Sequence, residues 1–144
     1  MIVVDINLLL YAHITGFPEH ERSRDWWQEA VNDASVGLAP VAVFGFLRIS
    51  TNRRVMASPL SADDAVGLVR GWLEQPSVSL LVPGPRYLDI AFGLLEGVGT
   101  AGNLTSDVQL AAHAIEIGAD LCSNDSDFAR FDGLRRVNPL AGHI

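Results

Sequence analysis

The chain opens on Met1-Ile2-Val3-Val4, a run that is apolar on both faces of a pleat, β-branched at three successive positions, and ended by a carboxylate, Asp5. Such a strand belongs inside a sheet covered on both sides, the environment of parallel strands in α/β proteins. Ala119-Asp120-Leu121-Cys122-Ser123 is a weaker run of the same kind, and Asn124 and Asp125 leave it at the carboxyl end. In open α/β sheets, ligands bind in the crevice outside the carboxyl ends of the strands, so Asp5 and Asp125 are each directed there by their own strand. Asp107 comes from another direction. Leu110, Ala111, Ala114 and Ile117 recur at helical spacing, which predicts a helix from about Thr105 to Ile117, ended by Gly118, with Asp107 in its first turn. If these three carboxylates meet, their repulsion demands a cation, and hard oxygen ligands favour Mg2+ or Mn2+.

Each acid also has a purely structural explanation. A carboxylate in a first turn favours the helix dipole, and aspartates in strand-to-helix loops make Asx-turns and N-caps, which would account for Asp107 and Asp127 without chemistry. Asp5 is harder to explain that way. It ends an apolar strand and precedes Ile6, Asn7, Leu8, Leu9 and Leu10, so it is expected to be partly buried, where an uncompensated carboxylate is costly. A metal or the N-terminus of the next helix would compensate it.

The remaining segments alternate. Helices are expected from Asn7 to about Ile14 and from Glu19 to about Asn32, the latter entered by Pro18 and carrying Trp26, Trp27, Ala30 and Val31 on its apolar side. Residues 36–39 form a strand candidate, followed by Pro40 and an apolar helix from Val41 to about Ser50. Ser61 is placed as the N-cap of a helix through Glu74 with a buried stripe of Ala62, Ala65, Leu68, Val69, Trp72 and Leu73. A strand over 78–82, a helix from Tyr87 to about Gly97 and a final strand over 134–137 complete an α/β arrangement: a mostly parallel sheet with helices on both faces.

Composition bounds the function. With 144 residues and 49% hydrophobic content the chain suits one packed domain spanning 1–144, and no linker or composition shift divides it. No apolar run reaches membrane-spanning length, and no basic leader precedes the first strand, so a soluble, cytoplasmic protein is expected. The lone Cys122 excludes an internal disulfide and a cysteine zinc site; in an apolar strand it reads as a buried thiol. The net charge is −7, and all ten basic residues are arginine, which removes lysine-dependent phosphate loops and Schiff-base chemistry. An acidic protein is a poor generic binder of nucleic acid, so polyanion contact must be local. FLRISTNRRV supplies such a patch in Arg48, Arg53 and Arg54, with Ser50, Thr51 and Asn52 as small donors suited to phosphate oxygens; a solvated helix end is the structural alternative.

Together VVDINLLLYA, FLRISTNRRV, GNLTSDVQLAAHAIEIGADLCSNDSDFARF and LRRVNPL resemble the PIN-domain ribonucleases, specifically the VapC toxins of bacterial toxin–antitoxin pairs, over nearly the whole chain and in motif order. The resemblance implies a PIN-like three-layer α/β fold. It implies an endoribonuclease dependent on Mg2+, with Mn2+ as a substitute, that cuts structured RNA such as tRNA or ribosomal RNA through a metal-activated water. It further implies inhibition by a small VapB-like antitoxin; the apolar helices bearing Phe44, Phe46 and the tryptophans suit a homodimer and an antitoxin groove, and equally suit the core. Carried over by position, Asp5, Asp107 and Asp125 resemble the metal-binding catalytic acids. Asn7, Ser123 and Asp127 resemble the groups that orient them, and Arg48, Arg53 and Arg54 the RNA contacts. None of His13, His20, His113 and His143 forms a recognisable pair or triad, so no general base is assigned.

One position departs from the family. Where many members carry a glutamate just before the segment Phe46-Leu47-Arg48, this chain has Gly45, which points to one tightly held ion and a second recruited with substrate. Two other classes stay open: an RNA-binding PIN module with little turnover, suggested by Gly45, and a metal-dependent phosphatase. The phosphatase is disfavoured because Asn7 stands where its second aspartate belongs and there is no lysine.

Overall fold

The computed structural model describes residues 1–99 and 102–141, apart from the Asn103 side chain; His143 lies outside the described residues. Five strands form one sheet: β1 (Ile2–Val4), β2 (Val36–Leu38), β3 (Val78–Leu80), β4 (Asp120–Cys122) and β5 (Arg136–Val137). Every pairing is parallel, and the order is β3-β2-β1-β4-β5. Six α-helices flank it: α1 (Ile6–His13), α2 (His20–Asp33), α3 (Pro40–Ser50), α4 (Ala62–Glu74), α5 (Tyr87–Val98) and α6 (Thr105–Ile117). The expected alternation and parallel sheet are therefore both found, with strands two or three residues long where four or five were expected.

Consecutive residues of a strand point to opposite faces, so the complete burial of Val3 and Val4, and of Leu121 beside Cys122, shows that both faces of the central pair are covered. Three layers follow from that burial. Leu8 and Leu9 of α1, Leu38 of β2, Phe46 of α3 and Leu110 of α6 are fully buried in the same core. Burying each of these large side chains is worth about 1.5–3 kcal/mol relative to exposure.

Local signals set several element ends. Ser61 caps α4 by accepting a 3.1 Å hydrogen bond from the Asp64 N–H. Gly118 ends α6 with φ +67°, a left-handed conformation that glycine adopts without steric cost. The turn entering α5 is pinned to α6, because the Glu116 carboxylate accepts from the backbone N–H groups of Gly84 and Arg86 at 2.8 Å each.

Two packing expectations need correction. Phe44 and Phe46 do not share a surface: Phe44 is 69% exposed and Phe46 is completely buried. Residues two apart on a helix lie on different faces, so only one of the pair can enter the core. In α4 the buried stripe is Ala65, Val69 and Trp72, with Leu68 partly buried; Ala62 and Leu73 are exposed. Leu73 sits about 100° around the helix from Trp72, off the stripe. The tryptophans behave as packing residues, with Trp27 and Trp72 rings 5.8 Å apart around His13.

Candidate metal centre

The sheet order changes direction at β1. Chain growth goes from β1 outward through β2 to β3, then crosses to β4 and β5 on the other side. The carboxyl ends of β1 and β4 are therefore the two sides of a topological switch point, the place where an open parallel sheet leaves a crevice. Val4 lies opposite Cys122, so the next residues outward, Asp5 and Ser123, emerge side by side. The Asp5 N–H donates to the Cys122 carbonyl at 3.0 Å and prolongs the ladder by one step.

Asp5 is 6% exposed and both carboxylate oxygens are engaged. Oδ1 accepts from the Ile6 N–H at 2.7 Å as α1 begins, and Oδ2 accepts from Ser123 Oγ at 2.7 Å. Burial pushes the Asp5 carboxyl up from its ordinary range; the Ser123 and Ile6 hydrogen bonds pull it back, and the charge of Asp125 pushes it up further.

Ser123 is the hub. Its single proton goes to Asp5, so its other partners must be donors: the Asp125 N–H at 2.9 Å and Asn7 Nδ2 at 3.4 Å. That orients the Asn7 amide, whose Oδ1 faces the other way, buried and with no hydrogen-bond partner among the described residues.

Asp125 caps the short 3-10 segment Ser126–Arg130 by accepting from the Asp127 N–H at 2.9 Å. The cap is thus Asp125 and not Asp127, which was expected to cap this turn; Asp127 pairs instead with Arg130 at 3.3 Å on the surface. Asp107 sits in the first turn of α6, as expected, and is pushed up to about 6. Burial is the largest cause, followed by the negative charges of Asp5, Asp125 and Asp127, with Arg130 opposing them. The four acids therefore share one electrostatic site, although among the described residues no three of His, Cys, Asp and Glu stand close enough together to cage an ion as placed.

The donor set fits a hard divalent cation. It consists of carboxylate oxygens on three separate elements plus an amide oxygen, Asn7 Oδ1, that is buried without a partner. Asp5, Asp107 and Asp125 would hold such an ion, with Asn7 Oδ1 available to it or to its water.

The basic patch is divided. Arg48 is exposed on α3 and lines a cleft with Ile6 and Ser106, the chain neighbours of Asp5 and Asp107. Arg53 and Arg54 are exposed in the turn beyond α3 and make no hydrogen bond or ion pair with the acids. Cys122 is buried, and its thiol is pushed up to about 12 by burial and by Asp120, so it is inert. His113 stacks on Tyr87, with ring centroids 4.5 Å apart, and His13 lies among Trp27, Phe46 and Trp72; neither touches the acids.

Two features escaped sequence reading. Arg130 lies in the field of Asp107, for which the Asp127/Arg130 spacing of i,i+3 was an available signal. Gly45 packs against Ile6, where a Cβ would meet Ile6 Cγ1 at 2.8 Å, and no local pattern announces that contact.

A buried Asp–Ser–Asn network and a first-turn aspartate at the switch point of a parallel sheet define an open α/β protein with an acidic crevice. The family described as PIN domain matches residues 2–134. Ribonuclease VapC33 of Mycobacterium tuberculosis is 58% identical over 141 residues, covering 97% of this chain and 99% of its own. Ribonuclease VapC37 of the same species is 41% identical over 142 residues, covering 98% and 99%. Among solved structures, VapBC2 from Rickettsia felis bound to a promoter DNA fragment aligns with a TM-score of 0.71 at 17% identity, covering 96% of this chain and 98% of that one. FitAcB from Neisseria gonorrhoeae aligns at 0.63 and 18% identity with the same coverage, and both likenesses support the fold. The chain belongs to the PIN-domain family and, within it, to the VapC ribonucleases.

Proposed function

We propose that this protein is the toxin of a type II toxin–antitoxin pair, a cytoplasmic endoribonuclease dependent on Mg2+ or Mn2+ that hydrolyses structured RNA such as tRNA or ribosomal RNA. The observation that carries the reading is the gathering of acids beyond β1 and β4: Asp5 fixed by Ser123 and the Ile6 N–H, Asp125 capping the adjacent turn, and Asp107, whose carboxyl rises to about 6 through burial first and the charges of Asp5, Asp125 and Asp127 second. Acids gathered against their own repulsion are a site for a cation. When bound, a divalent ion supplies Lewis acidity at a phosphoryl oxygen and lowers the pKa of water.

The chain's own residues do the rest. Ser123 fixes the Asp5 carboxylate by donating to Oδ2 and keeps it oriented toward the crevice, while the Ile6 N–H holds Oδ1. Asn7, anchored by Nδ2 on Ser123, has its carbonyl oxygen free to accept a hydrogen bond from water, which orients the water without deprotonating it. Asp125 is held by the backbone of the turn it caps, so it is aimed without a flexible stem. Arg48 is an exposed fork for a flanking phosphate. Water attack leaves a 5′-phosphate, unlike cleavage driven by a 2′-hydroxyl.

The partner reading rests on relatives. VapBC2 and FitAB, each bound to DNA, share the fold, and those toxin–antitoxin assemblies support a VapB-like antitoxin for this chain; a homodimer fits the exposed apolar side chains Leu88 and Phe92 of α5. No described helix is long and apolar enough to cross a membrane.

End-mapping of total RNA after incubation with the purified protein tests the reading, with Mg2+ or Mn2+, with EDTA, and with Asp5→Asn and Asp107→Asn. A discrete cut lost in EDTA and in both variants is expected. RNA affinity without any cut would select the binding-module reading that Gly45 suggested.

A further inference from the structure

We propose that the cleft beside the acids is a nucleobase subsite, with Phe44 as its stacking face and Arg48 as its phosphate contact, occupied by a nucleotide next to the bond that is cut. The proposal rests on the ribonuclease reading above. The cleft measures about 420 Å3 and is lined by Ile6, Val41, Phe44, Gly45, Arg48 and Ser106. That volume lies within the range of about 300–1,000 Å3 typical of ligand sites.

Its position ties it to the acids. Ile6 follows Asp5 and Ser106 precedes Asp107, so the chain neighbours of both carboxylates form its walls. The opposite wall is α3, drawn close to α1 because residue 45 has no side chain: a Cβ there would already press on Ile6. Phe44 is 69% exposed at the mouth, a bare aromatic face. Arg48 stands four residues further along, on the same side of the helix, exposed and in no ion pair among the described residues.

A flat apolar surface one helical turn from a free guanidinium matches a ligand with a π face and an attached anion. A nucleotide is such a ligand: its base stacks on the aromatic ring and its phosphate accepts from the guanidinium. An apolar protein segment seated here would cover Arg48 without a counter-charge, which is unfavourable. The same exposed phenylalanine also argues for single-stranded RNA, because a base in an A-form duplex is not free to stack on a side chain.

Fluorescence anisotropy tests this with two labelled eight-nucleotide strands in Ca2+: a mixed-sequence single-stranded RNA and an abasic ribose-phosphate strand of the same length, each checked for integrity after titration. The wild-type protein is expected to bind the RNA at least about fivefold more tightly than the abasic strand, the lower end of one stacked base. Phe44→Leu should remove that preference without weakening the abasic strand, Phe44→Trp should keep it, and Arg48→Gln should weaken both strands. Equal binding of the two strands by wild type, or an unchanged preference in Phe44→Leu, overturns the subsite. A loss of dimer mass in Phe44→Leu with RNA binding intact overturns it too and assigns Phe44 to a contact between copies. Failure of wild type to bind either strand also overturns the subsite, and is distinguishable from failure of the ribonuclease reading, which the end-mapping of total RNA decides by itself.

Discussion

Ser123 Oγ donates to Asp5 Oδ2 at 2.7 Å across the outer edge of the β1–β4 pair, and the same oxygen accepts from Asn7 and from the backbone of Asp125. One hydroxyl therefore positions three of the groups around the acidic crevice. Replacing it with alanine leaves a buried carboxylate oxygen and two donors without a partner. Ser123→Ala is expected to lower RNA cleavage about 10–100-fold, the usual effect of removing a group that orients metal ligands, while Ser123→Thr keeps the hydroxyl and most of the rate. Single-turnover cleavage at saturating Mg2+ measures both.

Asp107 trades stability for function. Its carboxyl is raised from 3.8 to about 6, so between those values the folded state holds a proton that the unfolded chain has lost. Folding is favoured by that proton below pH 3.8, and the benefit disappears as pH rises through about 6. In EDTA at pH 7.5, Asp107→Asn is expected to melt at a higher temperature than wild type, and to be inactive when Mg2+ is restored. Thermal melts at pH 4.5 and 7.5 read the sign: the gap between variant and wild type should widen at the higher pH. A divalent ion should close the gap by stabilising wild type alone.

Gly45 leaves α3 without a side chain at the point where it meets α1, and Ile6 fills the space that a side chain at 45 would need. A Cβ at 45 would meet Ile6 Cγ1 at 2.8 Å. Gly45→Glu is expected to destabilise the protein by about 1–3 kcal/mol, the usual cost of overpacking a close contact. Ile6→Ala in the same chain removes the opposing atoms and should recover much of that loss. Denaturant midpoints of the two single variants and the double variant give the coupling directly.

His13 is held neutral. The indole Nε1–H of Trp72 donates to His13 Nε2 at 2.9 Å, so the ring proton is on Nδ1, which donates to the Leu9 carbonyl at 2.8 Å. Burial lowers its pKa from 6.5, and His20 lowers it further, against the Leu9 hydrogen bond. Stability from this group is complete above pH 6.5 and declines as pH falls toward the lower folded pKa, because the unfolded chain then takes up a proton that the native ring refuses. His13→Gln should remove part of the loss of melting temperature between pH 7.5 and 5; Trp72 fluorescence follows the ring itself, 4.6 Å away.

The positions of Asp5 and Asp107 were legible because they depend on the ends of a strand and a helix. A β-branched run closed by a carboxylate says where Asp5 goes, and helical spacing says where Asp107 goes, without any knowledge of packing. The same local reasoning reached the Ser61 cap and the Gly118 stop. It failed where two readings fit one local pattern. Asp125 precedes the 3-10 turn and Asp127 lies in its first turn, and the choice of cap follows from how β4 delivers the chain. In α3, apolar residues occur all round the helix, so the pattern could not say that Phe46 enters the core while Phe44 lines the cleft. The Gly45–Ile6 contact joins residues of different helices and is fixed only by how α1 meets α3.

The most direct test of the acidic centre is Mn2+ binding, followed by electron paramagnetic resonance on the purified protein and its Asp5→Asn, Asp107→Asn and Asp125→Asn variants, with folding confirmed by circular dichroism. The expected result is saturable Mn2+ binding by wild type, competed by Mg2+, and at least tenfold weaker in the Asp5 and Asp107 variants. Binding that is unchanged in both of those variants would contradict the assignment of the crevice between β1 and β4 as the metal centre.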